Sequence, residues 1–306
     1  MNNKGLVQPP YDTSLVGVVK GALDYYGIDT TPAETFVLSG HAFAINIHEE
    51  LCPSGPYCWE QTRFRDLLPN LGIQMVELGM VMPTAGAAEK ERLAERVRSE
   101  LDDGNVCSVL NLDHQLVVGY DDTGFELAAP WGEGVVDSTP GRLTFATWEE
   151  FVHGPPVVFF TFEPTPRRSE SAATASVLAF AVDVWRCPEQ FAERPYGTGN
   201  LAYENWLAGI DAGHGESHGN WWNAVVWGEC RERAGDYFLA LAAAEFPGAI
   251  DQRQARELAV DYRALSRLLY RASDKNANVV DKRRFVEQAR ELDAGCVERI
   301  AELRAH

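Results

Sequence analysis

The sequence has few basic residues. The 306-residue chain holds 27 Lys and Arg against 45 Asp and Glu, which gives a net charge of −18. A protein that grips phosphate backbones needs a basic face, so this composition argues against nucleic acid as a partner. The acidity is uneven: residues 1–164 carry 9 basic and 24 acidic side chains (−15), whereas residues 165–306 carry 18 and 21 (−3). Surface acidity commonly serves solubility; a cationic substrate or partner is the more specific interpretation.

Long apolar runs are also missing. Met1–Lys4 is not followed by the apolar region of a signal peptide, and the run Pro155–Phe162 is far shorter than the roughly 20 residues that span a bilayer. The six cysteines are scattered and lack the spacing of a disulfide scaffold or a zinc site. No phosphate-binding glycine loop stands out. We therefore expect a cytoplasmic protein with no membrane partner, no metal and no other cofactor.

Two kinds of periodicity divide the chain. The first part opens with helical patterns, among them Ser14–Tyr26 and Trp59–Leu68, and then shows short β-rich runs separated by turns. Pro164–Ser171 has the composition of a linker, and the periodic segments beyond it have helical length and spacing. We predict an α+β fold, with helices plus an antiparallel sheet in a domain over residues 1–164 and an all-α helical bundle over residues 165–306.

Two motifs of the first part carry candidate catalytic residues. Gln8-Pro-Pro-Tyr-Asp-Thr-Ser14 leads into a helix that closes with Tyr-Tyr-Gly27, and Leu-Asp113-His114 leads through a strand into Gly-Tyr-Asp-Asp. Both motifs resemble papain-like cysteine peptidases, most closely the bacteriocin-leader-processing type. In that family a Gln donates to the oxyanion and a Cys begins a helix, where the helix N-terminus lowers the pKa of the thiol. The resemblance implies a papain-like N-terminal domain.

The resemblance assigns roles to residues of this chain. Ser14 stands where the family has its Cys, Gln8 would be the oxyanion donor and His114 the general base. His114 lies one residue closer to the Gly-Tyr-Asp-Asp motif than usual, so a bulge is needed to keep its face of the strand. Ala129 occupies the place of the orienting carboxylate, and Asp113 and Asp121 are the nearest carboxylates in sequence. Structural alternatives are a helix N-cap for Ser14 and a strand-edge position for His114.

A second set of motifs spans both parts. Ser-Gly-His41-Ala-Phe43, Ala-Tyr203-Glu-Asn-Trp and Trp222-Asn223-Ala-Val-Val-Trp-Gly-Glu-Cys-Arg are similar to the butirosin biosynthesis protein H-like family. That resemblance implies a peptidase-like domain paired with helices, and in the butirosin member acyl transfer to an aminoglycoside. Aromatic and polar side chains could line a substrate pocket, with core packing as the alternative; the candidates are His41, Phe43, Trp131, Tyr203, Trp222 and Asn223.

Cys58 is a second candidate nucleophile, because it precedes the predicted Trp59–Leu68 helix, whose N-terminus would stabilise a thiolate. A buried, inert cysteine is the alternative. Two functions follow. The first is a papain-fold amide hydrolase or acyltransferase that acts on a small amine- or amide-bearing metabolite in bacterial secondary metabolism. The second is a catalytically inactive binding or scaffold protein that holds a small molecule or peptide between its domains. The sequence leaves the oligomeric state open.

Overall fold

The structure, a computed structural model, describes residues 5–131, 139–145, 147–152, 154–243 and 250–303. In these ranges the helices are α1 (Ser14–Tyr25), α2 (Pro32–Leu38), α3 (Thr62–Leu67), α4 (Ala87–Asp102), α5 (Glu170–Arg186), α6 (Gly199–Asp211), α7 (His218–Ala243), α8 (Gln252–Ser273) and α9 (Val279–Leu303). The strands are β1 (Asn46–His48), β2 (Ile73–Val81), β3 (Val106–Leu110), β4 (His114–Tyr120), β5 (Gly124–Leu127), β6 (Arg142–Thr144), β7 (Val157–Pro164) and β8 (Tyr196–Thr198).

The strands form two antiparallel sheets. Six strands follow the order β2-β7-β3-β4-β5-β6, and β1 pairs with β8 in a separate two-stranded sheet. Helices and antiparallel strands occupy largely separate parts of the chain, which is the α+β arrangement. The α+β class predicted from the sequence is confirmed.

The chain divides into two compact units that do not follow one another along the sequence. Unit 1 contains the described residues of 1–30 and 72–167, and unit 2 contains those of 31–71 and 168–306. The sequence predicts a single boundary after residue 164. In the structure the second part of unit 2 begins at residue 168, and the segment 31–71 groups with it.

Unit 1 contains the six-stranded sheet with α1 and α4. Every residue of α1 from Ser14 to Leu23 is buried, because apolar and small side chains surround this helix on all faces. On α4, apolar residues such as Leu93 and Val97 recur at helical spacing and join a core with β3, β4, β5 and β7. The pairing of β4 with β5 shifts register between Val117 and Gly119, so β4 carries an irregularity three residues beyond His114.

Unit 2 contains α2, α3, the helices α5 to α9 and the small β1–β8 sheet. The long helices α7 and α8 pack against each other, and α9 packs on α8. The prediction of an all-α second region is wrong at one place, since β8 lies within it; a three-residue strand is too short to show a period of two. In the described parts of the chain, no helix combines the length and the apolar character needed to cross a bilayer.

Candidate functional site

Ser14 is the first residue of α1 and is fully buried. The N-cap of this helix is Thr13, so the interpretation of Ser14 as the N-cap is wrong. The Ser14 hydroxyl donates to Asp113 Oδ1 at 3.1 Å and accepts from the backbone N–H of His114 at 3.0 Å. A hydroxyl has only one hydrogen to donate, and here it goes to a carboxylate.

His114 begins β4 and is buried, with its ring tilted against Phe160 at a centroid distance of 5.9 Å. Its hydrogen bond with Ser14 is made by the main chain, which also accepts at the carbonyl from Gln8 Nε2 at 2.9 Å. Ser14 and His114 are therefore in contact, but the Ser14 hydroxyl bonds to the backbone N–H of His114. This arrangement fixes the start of β4 on the first turn of α1.

Gln8 lies alongside β4 and pairs with its backbone as a neighbouring strand would. Its Oε1 accepts from the Leu116 N–H at 2.9 Å, while its Nε2 donates to the His114 carbonyl. The segment that precedes Gln8 also lies close to α1, because Gly21 has no side chain: a Cβ on Gly21 would lie 2.5 Å from the Val7 carbonyl oxygen. The Gln8 side chain is thereby oriented toward the strand and engaged at both ends of its amide.

Asp113 lies at the edge of a small cleft. Residues of the loop before β4, among them Asn111 and Asp113, line it together with Thr139 and Pro140. Trp131, also in unit 1, is half-buried.

Four of the predicted pocket residues are buried in unit 2: His41, Phe43, Tyr203 and Asn223. His41 is fully buried, stacks on Trp227 at 5.9 Å and contacts Cys230 Sγ through Nδ1 at 3.4 Å. Burial, together with the Arg231 charge, lowers the pKa of His41 to about 3, so its imidazole is neutral. Phe43 packs against the rings of Phe238 and Tyr262. These contacts are those of core residues.

Tyr203 belongs to a buried ionic network in unit 2. Its hydroxyl donates to Asp293 Oδ2 at 2.9 Å, and burial followed by the Asp293 charge raises the pKa of Tyr203 well above its usual value. Arg231 donates to Asp293 Oδ2 at 2.7 Å and to the carbonyls of Ala42 and Ala44 at 2.7 and 2.9 Å. The network satisfies the buried charges and ties the chain before β1 to α7 and α9.

Cys58 is exposed and does not begin a helix. The N–H groups of Tyr57 and Cys58 both bond to the Ser54 carbonyl, which closes a turn, and α3 starts only at Thr62. The predicted helix at Trp59–Leu68 is therefore too long at its N-terminus. The Trp59 indole N–H donates to the Pro56 carbonyl instead of joining a helical turn.

Residues 52–58, here named the thiol loop, place two sulfurs beside two hydroxyls. Ser54 Oγ donates to Cys52 Sγ at 2.8 Å and lies 2.8 Å from the Tyr196 hydroxyl. Burial raises the pKa of Tyr196 to about 12, and the electrostatic influence of Cys58 adds to the rise. Sequence reasoning missed Ser54 and Tyr196, because they are separated by 142 residues.

Three buried asparagines hold the backbone around the thiol loop. Asn46 Nδ2 donates to the carbonyls of Gly55 and Cys58 at 2.7 and 2.9 Å. Asn223, predicted as a pocket residue, donates to the Cys52 carbonyl at 3.1 Å, and Asn205 donates to the carbonyl of Ile47 in β1 at 2.9 Å. Hydrogen bonds from these buried side chains hold the backbone carbonyl groups in fixed positions.

Glycines let α7 approach the thiol loop closely. A Cβ on Gly219 would lie 1.6 Å from the Leu51 carbonyl oxygen, and one on Gly55 would lie 2.5 Å from Asn223 Oδ1. Leu51 itself has a positive φ of 54°, which is strained for a branched side chain. Trp222, half-buried on the first turns of α7, contacts the ring of Trp221 at 5.7 Å.

Metal binding has no cluster to support it among the residues that the structure describes: no three His, Cys, Asp or Glu side chains are grouped to hold an ion. Comparison with known proteins adds no family. No protein-family model matches the chain, and no curated protein matches it. The resemblances to papain-like peptidases and to the butirosin biosynthesis protein H-like family stay predictions.

Proposed function

We propose that this protein is a catalytically inactive binding or scaffold protein with one papain-like domain and one mainly helical domain. The observation that carries the proposal is the environment of Ser14. Its hydroxyl is fully buried and gives its hydrogen to Asp113 at 3.1 Å. A serine nucleophile must reach its substrate and pass that hydrogen to an imidazole. Ser14 does neither in this arrangement.

The charge distribution supports a cationic ligand for this cytoplasmic protein. The residues of unit 1 include 8 basic and 19 acidic ones (−11), and those of unit 2 include 19 and 26 (−7), so both units are acidic. An acidic surface attracts cations and raises their local concentration. A small polyamine or a basic peptide, held without covalent chemistry, is the ligand class that fits this distribution.

Two measurements test the proposal. The full chain is incubated with a fluorophosphonate probe and with an acyl thioester, and adducts are located by peptide mass spectrometry. We expect no adduct on Ser14, so the labelling of the wild type should equal that of the Ser14→Ala control. Calorimetry with spermidine should show heat of binding that the neutral triacetylspermidine lacks. An acyl or phosphonyl group on Ser14 would refute inactivity. Equal binding of spermidine and triacetylspermidine would refute recognition of the positive charge.

A second candidate function keeps the enzyme. The accessible thiol of Cys58, whose electrostatic influence reaches the Tyr196 hydroxyl, favours a thiol-dependent amide hydrolase or acyltransferase acting on a small amine- or amide-bearing metabolite. Its Sγ would attack an acyl carbonyl, and the leaving group would take the thiol proton. Incubation with an acyl thioester would then acylate Cys58 in the wild type and in Ser14→Ala, but not in Cys58→Ser. Absence of S-acylation in all three proteins would reject this candidate.

A further inference from the structure

The six cysteines differ in access to solvent. Cys107, Cys230 and Cys296 are buried, and burial raises the pKa of the Cys107 thiol to about 12. Cys58 is exposed, while Cys52 and Cys187 are intermediate. Oxidants reach accessible thiols first, and the outcome depends on whether a second thiol lies close enough to resolve the first product. Cys58 is thus the thiol that a soluble oxidant meets.

The thiol loop places Cys52 near Cys58. The turn at its start joins the Gly55 N–H to the Cys52 carbonyl, and the turn at its end joins the Cys58 N–H to the Ser54 carbonyl. Ser54 Oγ, which lies between these two turns, donates to Cys52 Sγ at 2.8 Å and lies 2.8 Å from the Tyr196 hydroxyl. The two turns therefore keep an accessible thiol and a partly accessible one within a single loop of seven residues.

The buried support of the loop keeps this arrangement in place. Asn223 holds the carbonyl of Cys52, and Asn46 holds those of Gly55 and Cys58. These hydrogen bonds hold the carbonyl groups of both cysteines within the same loop. The bond that Cys52 Sγ accepts from Ser54 Oγ must break before this sulfur can react.

We propose that Cys58 and Cys52 form a peroxide-oxidised modification site. Cys58 Sγ attacks one peroxide oxygen, the O–O bond breaks, and one water leaves as the sulfur becomes a sulfenic acid. Cys52 Sγ then attacks that sulfur, the S–O bond breaks, and a second water leaves. Two thiols are oxidised to one disulfide while one hydrogen peroxide is reduced to two waters. This inference does not depend on the proposed binding function.

The test uses the reduced full chain and hydrogen peroxide. Trypsin releases residues 21–63 as one peptide, since the sequence has no Lys or Arg between Lys20 and Arg63. We expect this peptide to lose two hydrogens and the denatured protein to lose two free thiols, both reversed by dithiothreitol. Cys187→Ser, which changes an intermediate cysteine outside the loop, should react as the wild type does.

The single variants separate the two roles. Cys52→Ser should stop at a Cys58 sulfenic acid, trapped by dimedone, and then over-oxidise; Cys58→Ser should leave Cys52 as a thiol at the same peroxide dose. Circular dichroism confirms that each variant is folded. The proposal is overturned if wild-type Cys58 over-oxidises while Cys52 stays reduced, or if the disulfide that forms joins another pair of cysteines.

Discussion

The polar cluster around Ser14 in unit 1 and the thiol loop in unit 2 make a useful comparison. In each, a serine hydroxyl bonds to a residue that is distant in sequence: Ser14 bonds to Asp113 and His114, and Ser54 bonds to Tyr196. The Ser14 cluster is buried, whereas Cys58 is exposed. The residues that resemble a catalytic motif are thus buried in unit 1, and an exposed thiol lies in unit 2.

The difference has an energetic side. In the Ser14 cluster, buried backbone groups of β4 obtain partners that water cannot supply, so its hydrogen bonds contribute to stability. In the thiol loop, buried asparagines hold the backbone and leave one sulfur accessible. Substitutions in the Ser14 cluster, or of the asparagines that hold the thiol loop, should therefore change the free energy of unfolding. Only substitutions of the two thiols should change the reactivity of the loop.

The largest effect on the free energy of unfolding is expected from Arg231→Met, which disrupts the buried ionic network of unit 2. The substitution leaves the Asp293 carboxylate buried without its guanidinium and removes the donors to Ala42 and Ala44. We expect the free energy of unfolding to fall by about 3–5 kcal/mol. Urea denaturation followed by tryptophan fluorescence measures it, because six of the eight tryptophans belong to unit 2.

Arg186→Met is the matched control for this prediction. Arg186 pairs with Glu298 at 2.7 Å on the surface, where both side chains are close to half exposed or more. Exposed ion pairs contribute less than about 1 kcal/mol. Equal losses for the two variants would contradict the role given to the buried network.

A smaller loss is expected in unit 1 from Ser14→Ala. The variant deprives the His114 N–H of its acceptor and Asp113 of a donor, so the free energy of unfolding should fall by about 1–3 kcal/mol. Ser99→Ala, on the exposed face of α4, should change it little. Peroxide oxidation of the thiol loop should be unchanged in both variants. Loss of oxidation in Ser14→Ala alone would break the separation drawn between the two clusters.

The pH dependence of unit 2 should reflect His41. Its pKa is about 3 in the folded chain against 6.5 for an unperturbed histidine, so between these values the unfolded state binds a proton that the folded state does not. Lowering the pH from 6 to 5 should therefore cost about 1.2 kcal/mol through this residue. Urea denaturation at both pH values should show a shallower dependence in His41→Gln. An unchanged dependence would mean that His41 is protonated in the folded protein.

The smallest effect is expected from Tyr196→Phe. Removing the phenolic hydroxyl ends its contact with Ser54, which lowers the free energy of unfolding by about 0.5–1.5 kcal/mol. The Cys52–Cys58 disulfide should still form, since neither sulfur is removed. If the variant no longer forms it, the hydroxyl takes part in the oxidation and the comparison must assign it a chemical role.

Local sequence patterns were sufficient for much of unit 1. The α+β class is confirmed, and the helix predicted from Ser14 to Tyr26 matches α1 to within one residue. Alternation and helical spacing reveal such elements because burial follows the same period. Gln8 and Ser14, which the motifs select together with His114, both form hydrogen bonds with the backbone of His114.

Long-range pairing limited the rest. β1 and β8 have three residues each and pair with one another across a long stretch of sequence, so no local pattern predicts them. Assignment of residues 31–71 to unit 2 depends on side chains such as Arg231 and Asn223, which only the folded chain brings near. Tyr196 was missed for the same reason.

The grouping of residues 31–71 with the C-terminal part of the chain has a consequence for synthesis. Ala42 precedes its partner Arg231 by 189 residues. At ~5–20 residues per second, a ribosome needs roughly 10–40 s to bridge that interval. Through this time the nascent segment emerges without the helices that cover it, while both parts of unit 1 are complete once residue 167 has emerged. Translation thus delivers unit 1 first, although its chain is interrupted by a segment that still awaits its partners.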